Sequence, residues 1–208
     1  MLKKVFCVLL VLAAFADPAR AGLLTNIAVN GSFDSGDTSG WTYFPSASST
    51  FGVISSDFDT APFSSILVNS AFASAAVIKQ ANLGVGLVNP GDTVEISFAA
   101  KGFSGPGGVA FAELFSEISG GGVSQSQILG GGPLPLTSDW VQFNFTTTLG
   151  PDVSGGVTLQ FAAVTGAVPG SVSVLLLDSV RFSVVPEPSS LAFLGLAATG
   201  LVARRRRR

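Results

Sequence analysis

Pro90-Gly91-Asp92-Thr93-Val94-Glu95-Ile96-Ser97-Phe98 decides the fold. A Pro-Gly-Asp turn releases a chain in which Val94, Ile96 and Phe98 alternate with Thr93, Glu95 and Ser97. Period two places apolar side chains on one face and polar ones on the other, the pattern of a half-buried strand. The same alternation recurs outward in both directions. Val109, Phe111, Glu113 and Phe115 share one face, with Glu113 expected near an edge. Val141, Phe143 and Phe145 alternate with Gln142, Asn144 and Thr146; Val157, Leu159 and Phe161 with Thr158 and Gln160; Val180, Phe182 and Val184 with Arg181 and Ser183. Ser64–Asn69 and Ala73–Gln80 are two further candidate strands.

Turn signals separate these runs: Asn30-Gly31, Asn89-Pro90-Gly91-Asp92, Gly105-Pro106-Gly107-Gly108, Gly120-Gly121-Gly122, Gly130-Gly131-Gly132-Pro133 and Gly150-Pro151-Asp152. Short strands so punctuated, with no amphipathic helix among them, predict an all-β antiparallel β-sandwich. A transmembrane β-barrel also alternates, but its strands are longer and its glycine loops fewer.

The body, residues 22–185, is long enough for one domain with a real core. It holds eleven carboxylates against three bases (Lys79, Lys101 and Arg181), a charge of −8, whereas the whole chain is only −2. An acidic body argues against nucleic acid and anionic lipid. The chain has no histidine, and its one cysteine is Cys7. Ser-His and Cys-His nucleophiles and histidine-bound zinc are therefore absent. No carboxylate pair is singled out for glycoside hydrolysis, so the sequence reads as a non-enzyme.

The ends carry addresses. Lys3 and Lys4 precede an apolar run, Val5–Ala16, and Ala19-Arg20-Ala21 sets small residues around a cleavage point before Gly22. This is the layout of a secretory signal peptide over 1–21. A retained anchor is the competing reading, disfavoured by the short run and by Asp17-Pro18. At the other end, Pro186-Glu187-Pro188 precedes the uncharged run Leu191–Ala203 and the cluster Arg204, Arg205, Arg206, Arg207 and Arg208. As a helix the run spans about 20 Å, short of a hydrocarbon core of roughly 30 Å. Snorkelling arginines and local thinning cover the difference, giving a short, weak transmembrane helix with its basic end in the cytoplasm.

The order Val185-Pro186-Glu187-Pro188-Ser189-Ser190, apolar helix, arginine cluster resembles the PEP-CTERM sorting signal, over 186–208. The resemblance implies processing by an exosortase in a Gram-negative bacterium that makes exopolysaccharide. It implies transient inner-membrane anchoring, then delivery to the cell surface or extracellular matrix. Two prolines would keep Glu187 extended, where a membrane enzyme can grip the backbone. An ordinary tail anchor on a proline-rich stalk is the alternative.

The body has a second resemblance. Asn30-Gly31-Ser32-Phe33-Asp34 and Ser39-Gly40-Trp41 open it, the run from Pro90 to Gly102 stands mid-chain, Ser138-Asp139-Trp140-Val141-Gln142-Phe143 follows, and Leu177-Asp178-Ser179-Val180-Arg181-Phe182 closes it. This order resembles the galactose-binding-like jelly-roll sandwich of carbohydrate-binding modules. The resemblance implies a structural calcium where the first loop meets the last strand, at Asp34 and Asp178. The glutamate usual after the phenylalanine is aspartate here. Read locally, Asp34 and Asp37 are turn-formers, and Asp57 and Asp59 belong to a solvated loop. Trp41 is expected to plug the end of the sandwich and Trp140 to enter the core. Tyr43 is the candidate for an exposed, sugar-facing ring. Two functions then compete: a structural component of an exopolysaccharide biofilm matrix, or a carbohydrate-binding module that recognises the exopolysaccharide.

Overall fold

The computed structural model describes residues 26–185; the signal sequence, with Ala19, Ala21 and Gly22, and the tail, with Pro186, Glu187, Pro188, Arg204–Arg208 and the expected transmembrane helix, lie outside the described residues. Ten antiparallel strands form two five-stranded sheets. They are β1 (Thr42–Phe44), β2 (Ser49–Ile54), β3 (Ser64–Asn69), β4 (Ser74–Leu83), β5 (Thr93–Ser104), β6 (Val109–Glu117), β7 (Val123–Ile128), β8 (Val141–Thr148), β9 (Gly156–Thr165) and β10 (Ser173–Val184). One sheet runs β1-β4-β9-β6-β7 and the other β2-β3-β10-β5-β8. Among the described residues no helix is long and apolar enough to cross a membrane.

The alternation works as expected along most strands. Val94, Ile96 and Phe98 of β5 are fully buried, as are Val157, Leu159 and Phe161 of β9. Phe98 meets Phe161 edge-on across the sandwich, ring centroids 4.9 Å apart, and stacks on Phe143 at 5.3 Å. Trp41 closes one end as expected: it is 8% exposed, packs on Phe33 and Phe161, and donates its indole N–H to Asn30 O.

Strand β6 places Val109, Phe111, Glu113 and Phe115 on one face as expected, and that face is the outer one. Its buried residues are Ala110, Ala112, Leu114 and Ser116, while Phe111, Glu113 and Phe115 are only half-buried and share the opposite, outer face. The cause is volume. Ala112 sits directly across the ladder from Phe161, whose ring already fills the centre with Phe98. A second row of phenylalanines there would overpack the core.

Strand β10 ties the ends of the body together. Its first half pairs with β3 on one side, and β5 runs along its other side from Ser173 to Val184, interrupted by one bulge. Where β3 stops, the opening segment takes over. Ile27 N donates to Phe182 O, Phe182 N to Asn26 Oδ1, and Val180 N to Gly31 O. A bulge between Asp178 and Arg181 shifts the register, with Ser179 at φ 54°.

Candidate functional site

The outward turn of the larger β6 side chains leaves a patterned face on the outside of the β1-β4-β9-β6-β7 sheet. Registers place Phe44, Val77, Ala162 and Phe111 on one rung, and Thr42, Lys79, Gln160, Glu113 and Ile128 on the next. Beyond these lie Thr158, Phe115 and Ser126. Thr158 and Ala162 point away from the core yet are 2% and 4% exposed. Both lie on β9, between β4 and β6. Gln160 Nε2 donates to Glu113 Oε2 at 2.8 Å, and Thr158 Oγ1 donates to Glu117 Oε1. With its amide nitrogen turned toward them, Asn82 donates to Gly155 O and to Glu117 Oε2 at 3.1 and 3.2 Å. Lys79 Nζ lies 5.0 Å from the centre of the Phe44 ring. Rings alternating with fixed donors and acceptors are what a sugar chain needs: apolar faces to stack on and oriented polar groups to select it.

Tyr43 itself turns inward. Its ring packs on Phe51 at 5.6 Å, and its hydroxyl is 2.6 Å from Ser49 Oγ, joining the edges of the two sheets. The exposed ring of β1 is the neighbouring Phe44, 47% exposed. Phe44, Phe111 and Phe115 are candidate site residues that sequence reasoning missed. The signal was present, since Ala110 and Ala112 also alternate.

Asp34 and Asp178 part ways. Asp34 is exposed in the opening loop, whereas Asp178 is fully buried. Asp178 Oδ2 accepts the backbone N–H of Asp59 (3.0 Å) and Thr60 (2.8 Å), and Oδ1 accepts that of Ser179. Burial pushes its carboxyl above the ordinary value, opposed by these three N–H donors and aided by the Asp59 charge. Calcium needs six to eight oxygens turned toward it. Here backbone donors occupy the Asp178 oxygens, and among the described residues no group of three or more His, Cys, Asp or Glu could hold a metal. As arranged, Asp178 fits a backbone latch and does not fit a calcium ligand.

That latch fastens the β2–β3 loop over the other sheet. Asp57 of this loop pairs with Lys101 at 2.6 Å and accepts the Trp140 indole N–H at 3.0 Å, while Asp59 accepts from Gln142 at 2.9 Å. The Lys101 ammonium holds the Asp57 carboxyl below the ordinary range, burial opposes this, and the Trp140 bond adds to it. So Asp57 is bonded rather than merely solvated. Trp140 is half-buried on the outer face with Lys101 Nζ 5.7 Å from its ring, not in the core as expected. Beside it lies a groove of about 510 Å³ lined by Lys101, Phe103, Leu136, Thr137, Val174 and Leu176 among others.

The architecture has clear counterparts. The chain is similar to the CBM22-1 xylan-binding domain from Paenibacillus barcinonensis Xyn10C, with 18% identity and TM-score 0.55, covering 76% of this chain and 94% of that one. It is similar to Family 16 Carbohydrate Binding Module-2, with 14% identity and TM-score 0.54, covering 76% and 99%. It is also similar to the enzymatically active domain of bacteriophage CBA120 tailspike protein 4, with 17% identity and TM-score 0.60, covering 77% of this chain but only 21% of the tailspike chain. At such identities the likeness establishes the fold: a jelly-roll sandwich of the kind found in carbohydrate-binding modules. No curated protein matches the sequence significantly. Residues 184–208 match the PEP-CTERM protein-sorting motif. The chain therefore carries the address of an exosortase-sorted surface protein.

Proposed function

We propose that this chain is an exported, non-catalytic glycan-binding protein of the cell surface or exopolysaccharide matrix. The signal over 1–21 directs export, and the tail over 186–208 holds the body, residues 22–185, at the inner membrane. An exosortase then cuts near Pro186–Ser190, and the body holds exopolysaccharide through the outer face of the β1-β4-β9-β6-β7 sheet. The observation that carries the reading is the rung pair on that face: Phe44 and Phe111 beside Lys79, Gln160 and Glu113.

Affinity electrophoresis of the body in gels cast with the native exopolysaccharide tests it. Retardation should be lost in the Phe44→Ala/Phe111→Ala double variant, with about tenfold weaker binding for each single change. Unretarded wild-type protein would leave the matrix role without a glycan site. Sorting is tested separately. Glu187→Ala should accumulate uncleaved, membrane-bound protein, and normal processing of that variant would count against exosortase recognition.

A further inference from the structure

We propose that the outer-face site prefers polysaccharides carrying protonated amino sugars over neutral or anionic ones; the inference rests on the glycan-binding reading above. Glu113 and Glu117 both point outward from β6, and Phe111 and Phe115 flank Glu113 at two residues on either side. That spacing along a strand is about 6.8 Å, so a sugar ring stacked on either phenylalanine brings its ring substituents alongside the carboxylate. Both glutamates are held only by neutral donors: Gln160 for Glu113, Thr158 and Asn82 for Glu117. The sole ion pair among the described residues is Lys101–Asp57, on the other sheet. The one base on this face, Lys79, is drawn to the far edge over Phe44, with β9 between it and β6.

The charge on the β6 side is thus fixed, outward-facing and unmatched by any cation among the described residues. The body as a whole carries −8, which repels uronates and sulfated chains. An equatorial ammonium on a 2-amino-2-deoxy sugar supplies the complement, donating a charge-assisted hydrogen bond to Glu113 Oε1, the oxygen that Gln160 leaves free, while Glu117 adds negative charge farther along the strand. Replacing that ammonium by an N-acetyl group removes the charge and keeps the ring.

The test uses the purified full chain in detergent and titrates three probes: oligomers of glucosamine, the matched N-acetylglucosamine oligomers, and oligogalacturonate. The glucosamine oligomers should bind about fivefold tighter than the acetylated ones, in keeping with partly exposed ion pairs. Oligogalacturonate should bind weakest, and added salt should erase the preference. Glu113→Gln with Glu117→Gln should abolish the preference, the glucosamine oligomers losing at least roughly fivefold more affinity than the acetylated ones. Glu95→Gln, a carboxylate-to-amide change on the opposite sheet, should change nothing. Equal or tighter binding of the acetylated oligomers by the wild type overturns this inference and leaves glycan binding standing. Failure of all three probes and of the native exopolysaccharide overturns both.

Discussion

Replacing Asp178 with asparagine removes one charge and exchanges one acceptor for a donor at a fully buried position. The amide oxygen can keep the Asp59 and Thr60 N–H groups, but its NH2 then faces the N–H of Ser179. One unsatisfied buried donor costs about 1–3 kcal/mol. The two surviving bonds lose their charge assistance, and relief of carboxylate desolvation offsets part of that loss. The net expectation is roughly 2 kcal/mol, or a Tm lower by about 4–8 °C in a body of this size. The β2–β3 loop should come loose first, so Trp140 should lose the Asp57 contact before the core unfolds. The assay is thermal unfolding followed by circular dichroism, with tryptophan fluorescence in parallel, in chelator and in millimolar calcium. Burial raises the Asp178 carboxyl, so between its ordinary and raised values the folded state binds more protons than the unfolded state. The contribution of this group to stability therefore falls as pH rises through that window, and Asp178→Asn should remove the slope. A variant within about 0.5 kcal/mol of wild type would refute the latch. So would a calcium-induced rise in wild-type Tm that the variant lacks, because the carboxylate would then be a cation ligand.

Other outcomes follow from single contacts. Asp57 has a lowered pKa in the folded state, so its contribution is present above the ordinary carboxylate value of about 3.9 and is lost as pH falls further. Trp140 fluorescence should hold steady from neutral pH to about pH 4 and change below it, and Asp57→Asn should abolish that transition. Gly31→Ala would place a Cβ 2.0 Å from Val180 O, a backbone atom that cannot step aside. It should cost at least the upper part of about 1–3 kcal/mol, read as a lower urea midpoint. Phe161→Ala empties the ring contacts with Phe98 and Trp41 and should cost about 3–5 kcal/mol in the same assay. Phe103→Ala, at 61% exposure, should stay within about 0.5 kcal/mol of wild type.

Strands with one buried face were legible as sequence. Ser64–Asn69 has the bounds that alternation gave it, and Thr93–Phe98 forms the first half of a longer strand. The first half of β10, Ser173–Leu177, shows no alternation because β10 is covered on both faces there. Strands β1 and β7 were silent for the opposite reason: they are edge strands, and Val123-Ser-Gln-Ser-Gln-Ile128 buries almost nothing. The site was harder to see than the fold. Period two divides the residues of β6 into two sets but does not say which set faces inward. Size misleads, because the larger set belongs outside when the opposing strand already brings Phe161 to the centre. The latch formed by Asp178 joins residues 118 and 119 positions apart, a distance over which local patterns carry no information.

The position of β10 has a mechanical consequence. Its last residue adjoins Val185, where the described body gives way to the sorting segment, so any pull transmitted along the chain enters the sandwich through this strand. Strand β10 is not at an edge. Strand β5 grips one side, β3 and then the Asn26–Gly31 segment grip the other, and Val185 N adds a bond to Thr93 O. A tug along the strand must shear the ladders on both flanks at once, instead of unzipping one bond at a time. A strand held on both flanks in this way resists a pull along its axis better than a border strand does.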